Sequence, residues 1–144
     1  MRDLQRSHGL TYLIISHDLS VVRYLADRIG VMYLGCLVET GTGEDIYERP
    51  AHPYTAALLA SLPDPDADRP GSAGVGEAAI GGELPSAVDP PSGCRFRTRC
   101  PRAEGICAEV QPQYTPLGGE HRVACHFPLQ AAHSAPAPAG ERTD

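Results

Sequence analysis

Four cysteines, Cys94, Cys100, Cys107 and Cys125, fall within thirty-two residues, with five, six and seventeen residues between them. Their thiolates are soft ligands suited to zinc or to an iron–sulfur cluster. An odd total of five cysteines and an N-terminus without the apolar core of a signal peptide argue against a disulfide framework. Structural zinc usually draws on cysteine pairs about two to four residues apart, which the wider spacing here fits poorly. Four thiolates on loops suit a [4Fe–4S] cluster equally well, so both metals, and unligated thiols, remain open. Metal would replace the hydrophobic core that this apolar-poor segment lacks. Cys36 stands apart on an apolar strand and reads as a small buried hydrophobe. His121 and His126 lie near the cysteines and read as surface or packing residues.

The second candidate is His17, at the carboxyl end of the apolar run Tyr12-Leu13-Ile14-Ile15 and inside a Ser16-His17-Asp18 triplet. In α/β proteins the carboxyl edge of a buried strand is where ligands bind, so a polar triplet there is placed for chemistry. The plainer alternative makes His17 a turn residue. A protease-type triad is excluded, because its members meet in space and are not chain neighbours. Asp18 is placed to cap the helix that follows.

Composition narrows the chemistry. The 144 residues carry a net charge of −6, and all twelve basic residues are arginine. A P-loop needs a lysine to reach the β- and γ-phosphates, so this chain contains none, and lysine-base or Schiff-base mechanisms are excluded with it. Residues 93–128 are locally basic, with Arg95, Arg97, Arg99, Arg102 and Arg122 against three glutamates. Without interleaved aromatic residues that patch does not predict a nucleic-acid partner. No run approaches the roughly 20 apolar residues of a membrane span, and a cytosolic chain is expected.

The elements that must position these residues follow from the pattern. Residues 1–8 read as the end of a helix, capped by Gly9. Thr11 to Ile15 is β-branched, aromatic and nearly all apolar, which predicts a strand buried on both faces. Leu19 to Ala26 has helical spacing. A strand from Arg28 to Leu34 turns at Gly35 into Cys36–Glu39, in a hairpin. A short helix opens at Thr42-Gly43-Glu44-Asp45. Pro53 starts another, Tyr54 to Ser61, with Leu58, Leu59 and Leu62 as its apolar face. Residues 63–91 are rich in Pro, Gly, Ala, Ser and Asp and read as an extended linker, with Ile80 and Leu84 as small anchors. The tail after Leu129 reads as disordered.

The order of these pieces carries a resemblance. The run from Tyr12 through Gly35, then Val38-Glu39-Thr40-Gly41, resembles the region after the catalytic carboxylate in ATP-binding-cassette (ABC) transporter ATPases. Tyr47 to Pro63, with its His52-Pro53-Tyr54 element, resembles the oligopeptide and dipeptide importer branch, and the likeness runs on through Phe127. It implies an α/β fold: the C-terminal fragment of a P-loop-type ABC ATPase domain followed by a small cysteine-rich, loop-rich extension. The implied division is residues 1–49 as the C-terminal part of the ATPase domain, 50–92 as importer helix and linker, 93–128 as a cysteine-rich metal-binding module, and 129–144 as tail.

The same resemblance makes His17 the switch histidine, hydrogen-bonding a γ-phosphate oxygen and the attacking water. It makes Cys94, Cys100, Cys107 and Cys125 the ligands of a [4Fe–4S] cluster, with zinc as the alternative. ATP and Mg²⁺ are implied only together with the P-loop, glutamine loop, signature and Walker B residues, which precede this region in the family and are absent here. The expected function is the C-terminal portion of the ATP-binding subunit of a peptide importer, catalytically incompetent alone. Its partners would be permease transmembrane subunits and a second ATP-binding subunit, at the cytoplasmic face of the membrane. A truncated frame, a fragment or one piece of a split gene would each account for the missing half, and an uncovered Thr11–Ile15 strand predicts poor solubility. The alternatives are a non-catalytic metal-binding interaction module and a non-functional remnant.

Overall fold

The computed structural model describes residues 2–62, 83 and 85–129. Chain order is α1 (Arg2–His8), α2 (Leu19–Leu25), β1 (Arg28–Tyr33), β2 (Cys36–Thr42), α3 (Gly43–Glu48), α4 (Pro53–Ala60), α5 (Gly105–Glu109), β3 (Tyr114–Gly118) and β4 (His121–Ala124). The four strands form one antiparallel sheet in the order β1-β2-β4-β3. Helix and strand are mixed around that single sheet.

The β1–β2 hairpin forms where the alternation of Ile29, Val31 and Tyr33 predicts it. All three side chains are buried while their neighbours face out. Leu34 and Gly35 make the turn with φ of 44° and 78°, the double left-handed geometry that matches strand twist. The Arg95 guanidinium donates to the Leu34 carbonyl and pins this turn to the cysteine segment. A register shift between Val31 and Met32 marks a bulge, and on the facing strand Val38 and Glu39 are both buried in succession.

Asp18 caps α2 as expected, accepting from the Ser20 and Val21 backbone N–H groups at 2.9 and 3.2 Å. Thr42 and Asp45 form a reciprocal capping box at the start of α3. In α4 the buried residues are Pro53, Thr55 and Ala57 rather than the expected leucine face. Tyr54 and Leu58 of this helix are only partly buried, packed against the core.

The strand expected at Thr11–Ile15 does not form. Leu13 and Ile15 are each 92% exposed. A strand patterned for two covered faces needs neighbours on both edges, and among the described residues none pairs with it. The main core gathers Ile29, Val31, Tyr33, Val38, Ile46 and Phe96. Phe96 comes from the cysteine-rich segment, and β4 of that segment pairs with β2. Residues 93–128 therefore share both sheet and core with residues 28–60. The expected linker, with Ile80 and Leu84, and the tail beyond Leu129 fall almost wholly outside the described residues.

Candidate functional site

The cysteine segment is a series of turns closed on itself by backbone hydrogen bonds. Cys94 N–H donates to the Cys107 carbonyl at 2.8 Å, and Arg97, Arg99, Cys100 and Ala103 each donate three residues back. Gly93 permits the closure. Its φ is +64°, and a Cβ there would stand 2.4 Å from the Cys107 carbonyl oxygen. Ser92 adds a hydroxyl bond to the Ala108 carbonyl at 2.9 Å.

This folding brings Cys94, Cys100, Cys107 and Cys125 to the wall of one small cavity, beside Phe96, His52 and Phe127. All five cysteines of the chain are free thiols. Burial pushes the Cys94 and Cys100 thiols up, and it carries Cys125 to about 11, against the pull of the Phe127 backbone N–H. Neighbouring thiols add to the rise, Cys107 at all three. Among the described residues, no three His, Cys, Asp or Glu side chains converge as ligands of a single metal ion would. Cys36 is half-buried at the tight turn, paired in register with Tyr33, and is not part of the cavity wall.

A second node sits behind the cavity. Glu39 is fully buried on β2. Its Oε1 accepts the Ala51 backbone N–H at 2.7 Å and faces His121 Nε2 at 2.7 Å, while Oε2 accepts the His52 backbone N–H at 2.9 Å. One carboxylate thus ties β2 to β4 and to the turn leading into α4. Burial opposes the charge of neighbouring Asp45, yet the Thr42 backbone and hydroxyl, with His121 and Arg49, hold its carboxyl below the ordinary value. His52 caps α4 through Nδ1, which accepts the Tyr54 N–H at 3.0 Å. The residue is 1% exposed, and burial pushes its pKa down to about 4. Tyr33, Tyr54 and Phe96 stack around one another with centroids 4.7 to 5.4 Å apart, and the His52 ring joins Phe96 at 5.7 Å.

His17 lies elsewhere, exposed in the bend between the extended apolar segment and α2. Ser16 Oγ accepts the Asp18 N–H at 3.0 Å and Asp18 is occupied as a cap, so the triplet is a turn whose imidazole is left outward. The structure does not bring His17 together with the cysteines. Glu39 and the cavity-facing ring of His52 were not singled out from sequence. An acidic residue in the apolar run Cys36-Leu37-Val38-Glu39 was the available signal.

Residues 38–107 match the family described as the oligopeptide/dipeptide transporter, C-terminal region. A putative peptide import ATP-binding protein of Brucella ovis is 50% identical over 125 residues, covering 87% of this chain and 38% of that protein. The oligopeptide transport ATP-binding protein AppF of Bacillus subtilis is 49% identical over 127 residues, 88% of this chain and 38% of its own length. The dipeptide transport ATP-binding protein DppF of Escherichia coli is 49% identical over 127 residues, 87% and 36%. The chain therefore spans less than two fifths of the length of these relatives. The His52-Pro53-Tyr54 turn, most of β2 and three of the four clustered cysteines, Cys94, Cys100 and Cys107, lie inside the matched region, and over it the chain is similar to the oligopeptide/dipeptide transporter C-terminal region.

Proposed function

We propose that this chain is the C-terminal portion of the ATP-binding subunit of a peptide importer, with residues 1–49 completing an ABC ATPase domain of P-loop type. The observation that carries this reading is the Thr11–Ile15 segment. It is patterned as a two-sided buried strand, it is uncovered, and it ends at an exposed imidazole. Burying that segment against a P-loop-bearing half would place His17 at the carboxyl edge of the shared sheet. There the ring would accept from the attacking water and hydrogen-bond a γ-phosphate oxygen, work that is mainly positioning. ATP and Mg²⁺ would be held by that other half. Closure of two such subunits around ATP would drive the permease subunits between their two states, from the cytoplasmic face of the membrane. Among the described residues no helix is long and apolar enough to cross it.

Residues 93–128 act in this reading as a metal-stapled extension. The four thiols on one cavity wall fit a [4Fe–4S] cluster, whose four iron corners each take one thiolate. When bound, the cluster supplies four strong cross-links to a segment with little core of its own. The chain's residues deliver the thiolates from turns, and Arg97 and Arg102 at the same wall offset negative charge.

The test is complementation. The chain alone should bind an ATP analogue with Mg²⁺ no better than millimolar. Co-expressed with the P-loop-bearing N-terminal part of a relative, it should co-purify and hydrolyse ATP, and His17→Ala should abolish hydrolysis while leaving binding intact. Micromolar ATP affinity of the chain alone, or hydrolysis indifferent to His17, would defeat the reading.

A further inference from the structure

The His52 ring holds one hydrogen-bond donor with nowhere to go. Nδ1 accepts the Tyr54 backbone N–H at 3.0 Å, so that nitrogen carries no proton and the neutral ring must carry its proton on Nε2. Nε2 is buried and has no partner among the described residues. The residue lines the cavity that Cys94, Cys100, Cys107 and Cys125 also line, and the other named walls there include the apolar Pro53, Phe96 and Phe127. The remaining lining side chains are Arg97 and Arg102, which only donate, and His126, whose Nε2 lies 2.9 Å from the Val110 carbonyl, so the cysteine sulfurs are the main acceptors on this wall.

The ring is held firmly. Glu39 Oε2 takes the His52 backbone N–H at 2.9 Å, Pro53 restricts the next backbone step, and Phe96 packs against the ring at 5.7 Å. Capping α4 does not require imidazole, since Asn, Asp or Ser caps a helix at least as well without burying a second polar atom. A native fold seldom leaves a buried donor unpaired, and such a group calls for an acceptor the protein acquires.

We propose that His52 Nε2–H donates a hydrogen bond to a sulfur of the iron–sulfur cluster held by Cys94, Cys100, Cys107 and Cys125, and so raises the cluster's reduction potential. The proposal rests on the cluster reading above. Hydrogen bonds to cluster sulfurs stabilise the more negative, reduced state and are one of the protein's levers on potential. His52 is here a positioning and tuning residue, not a ligand.

The 144-residue chain is reconstituted anaerobically with ferrous iron and sulfide, alongside His52→Asn and His52→Gln. Asn keeps a capping oxygen and is too short to present a donor in the cavity, whereas Gln carries both an acceptor and an N–H. Iron and sulfide content should be equal in all three. His52→Asn should be about tenfold harder to reduce, or about 59 mV more negative for a one-electron couple, and His52→Gln should recover part of the loss. In the reduced wild type, electron–nuclear double resonance in H₂O and D₂O should reveal an exchangeable proton coupled to the cluster that His52→Asn lacks. Equal potentials and an unchanged proton signal, at full iron content, overturn the role of His52 and leave the cluster reading standing. Wild-type protein that takes up no iron and sulfide overturns the cluster reading and this proposal together. Should His52→Asn fail to fold, wild type carrying ¹⁵N-histidine decides: absence of an exchangeable proton and of ¹⁵N coupling defeats the proposal.

Discussion

Glu39 Oε2 accepts the backbone N–H of His52 at 2.9 Å, so a buried carboxylate on a central strand sets the turn that aims the His52 ring at the cysteine cavity. The other oxygen of the same carboxylate holds Ala51 N–H and His121. The carboxyl group is held where it sits by two backbone donors and one ring nitrogen.

Removing that carboxylate strands its partners. Glu39→Ala should leave two buried backbone N–H groups and a buried histidine without their acceptor, and should cost about 3–5 kcal/mol. That is a large share of the roughly 5–15 kcal/mol that holds a typical domain. Glu39→Gln keeps the shape and one acceptor oxygen and should fall between the two. Urea midpoints of the three proteins, measured at equal slope, check the order wild type, Gln, Ala. A Glu39→Ala midpoint within error of wild type would show that the node contributes nothing.

Gly93→Ala should be more damaging than a similar change at another left-handed glycine. At Gly119, φ is +55° and a Cβ would meet nothing within 4 Å. Alanine there should cost only the handedness penalty, about 1–2 kcal/mol. At Gly93 the φ is +64°, and a Cβ would also lie 2.4 Å from the Cys107 carbonyl oxygen and 2.9 Å from the Ala108 backbone. The collision is with main chain that itself carries the Cys94–Cys107 hydrogen bond. The Gly93 variant should therefore exceed the Gly119 variant by at least about 1 kcal/mol. It should also bind less iron on reconstitution, whereas the Gly119 variant should not.

Local pattern told much of this fold and little of its joints. The hairpin was legible because Ile29, Val31 and Tyr33 alternate and Gly35 follows at the turn. The cap at Asp18 and the opening of α3 at Thr42 were legible because such signals act within three residues, although the Thr42–Asp45 capping box itself was not read. Thr11–Ile15 misled because the pattern of a two-sided strand reports what the segment needs, not what this chain supplies. The contact of Glu39 with His121 spans 82 positions, and nothing near either residue announces the other. Phe96 sits between two arginines in a segment that looked self-contained, yet it completes the core beneath β1. The four cysteines were conspicuous as a set, but their shared cavity depends on β4 pairing with β2, a non-local fact.

Acid should loosen the start of α3 through Asp45. Its folded pKa lies below the ordinary 3.8, so on acidification the unfolded chain takes the proton first. The stability Asp45 contributes is then fully present above about pH 3.8 and is lost as pH falls below it toward the folded value. Asp45→Asn removes that titration while keeping an oxygen for Thr42. The variant should be less stable than wild type at pH 7, and the difference between the two should shrink as pH falls below 3.8. Urea midpoints at a series of pH values test this. A difference that stays constant down to pH 2.5 would mean Asp45 draws no advantage from its charge.

The ligand set makes a sharper demand. Cys94, Cys100, Cys107 and Cys125 share one wall, and Cys36 lies at the hairpin turn. Each of the four replaced singly by serine should lose most of the iron and sulfide taken up on anaerobic reconstitution, and the brown colour with it. Cys36→Ser should retain both in full. Because burial carries the metal-free Cys125 thiol to about 11, ligation near neutral pH must expel its proton, and uptake should strengthen from pH 6.5 to 8.5. Full iron content in Cys125→Ser would remove that residue from the set. Iron lost from Cys36→Ser would place the true site on the hairpin turn, where only one thiol of the described chain is at hand.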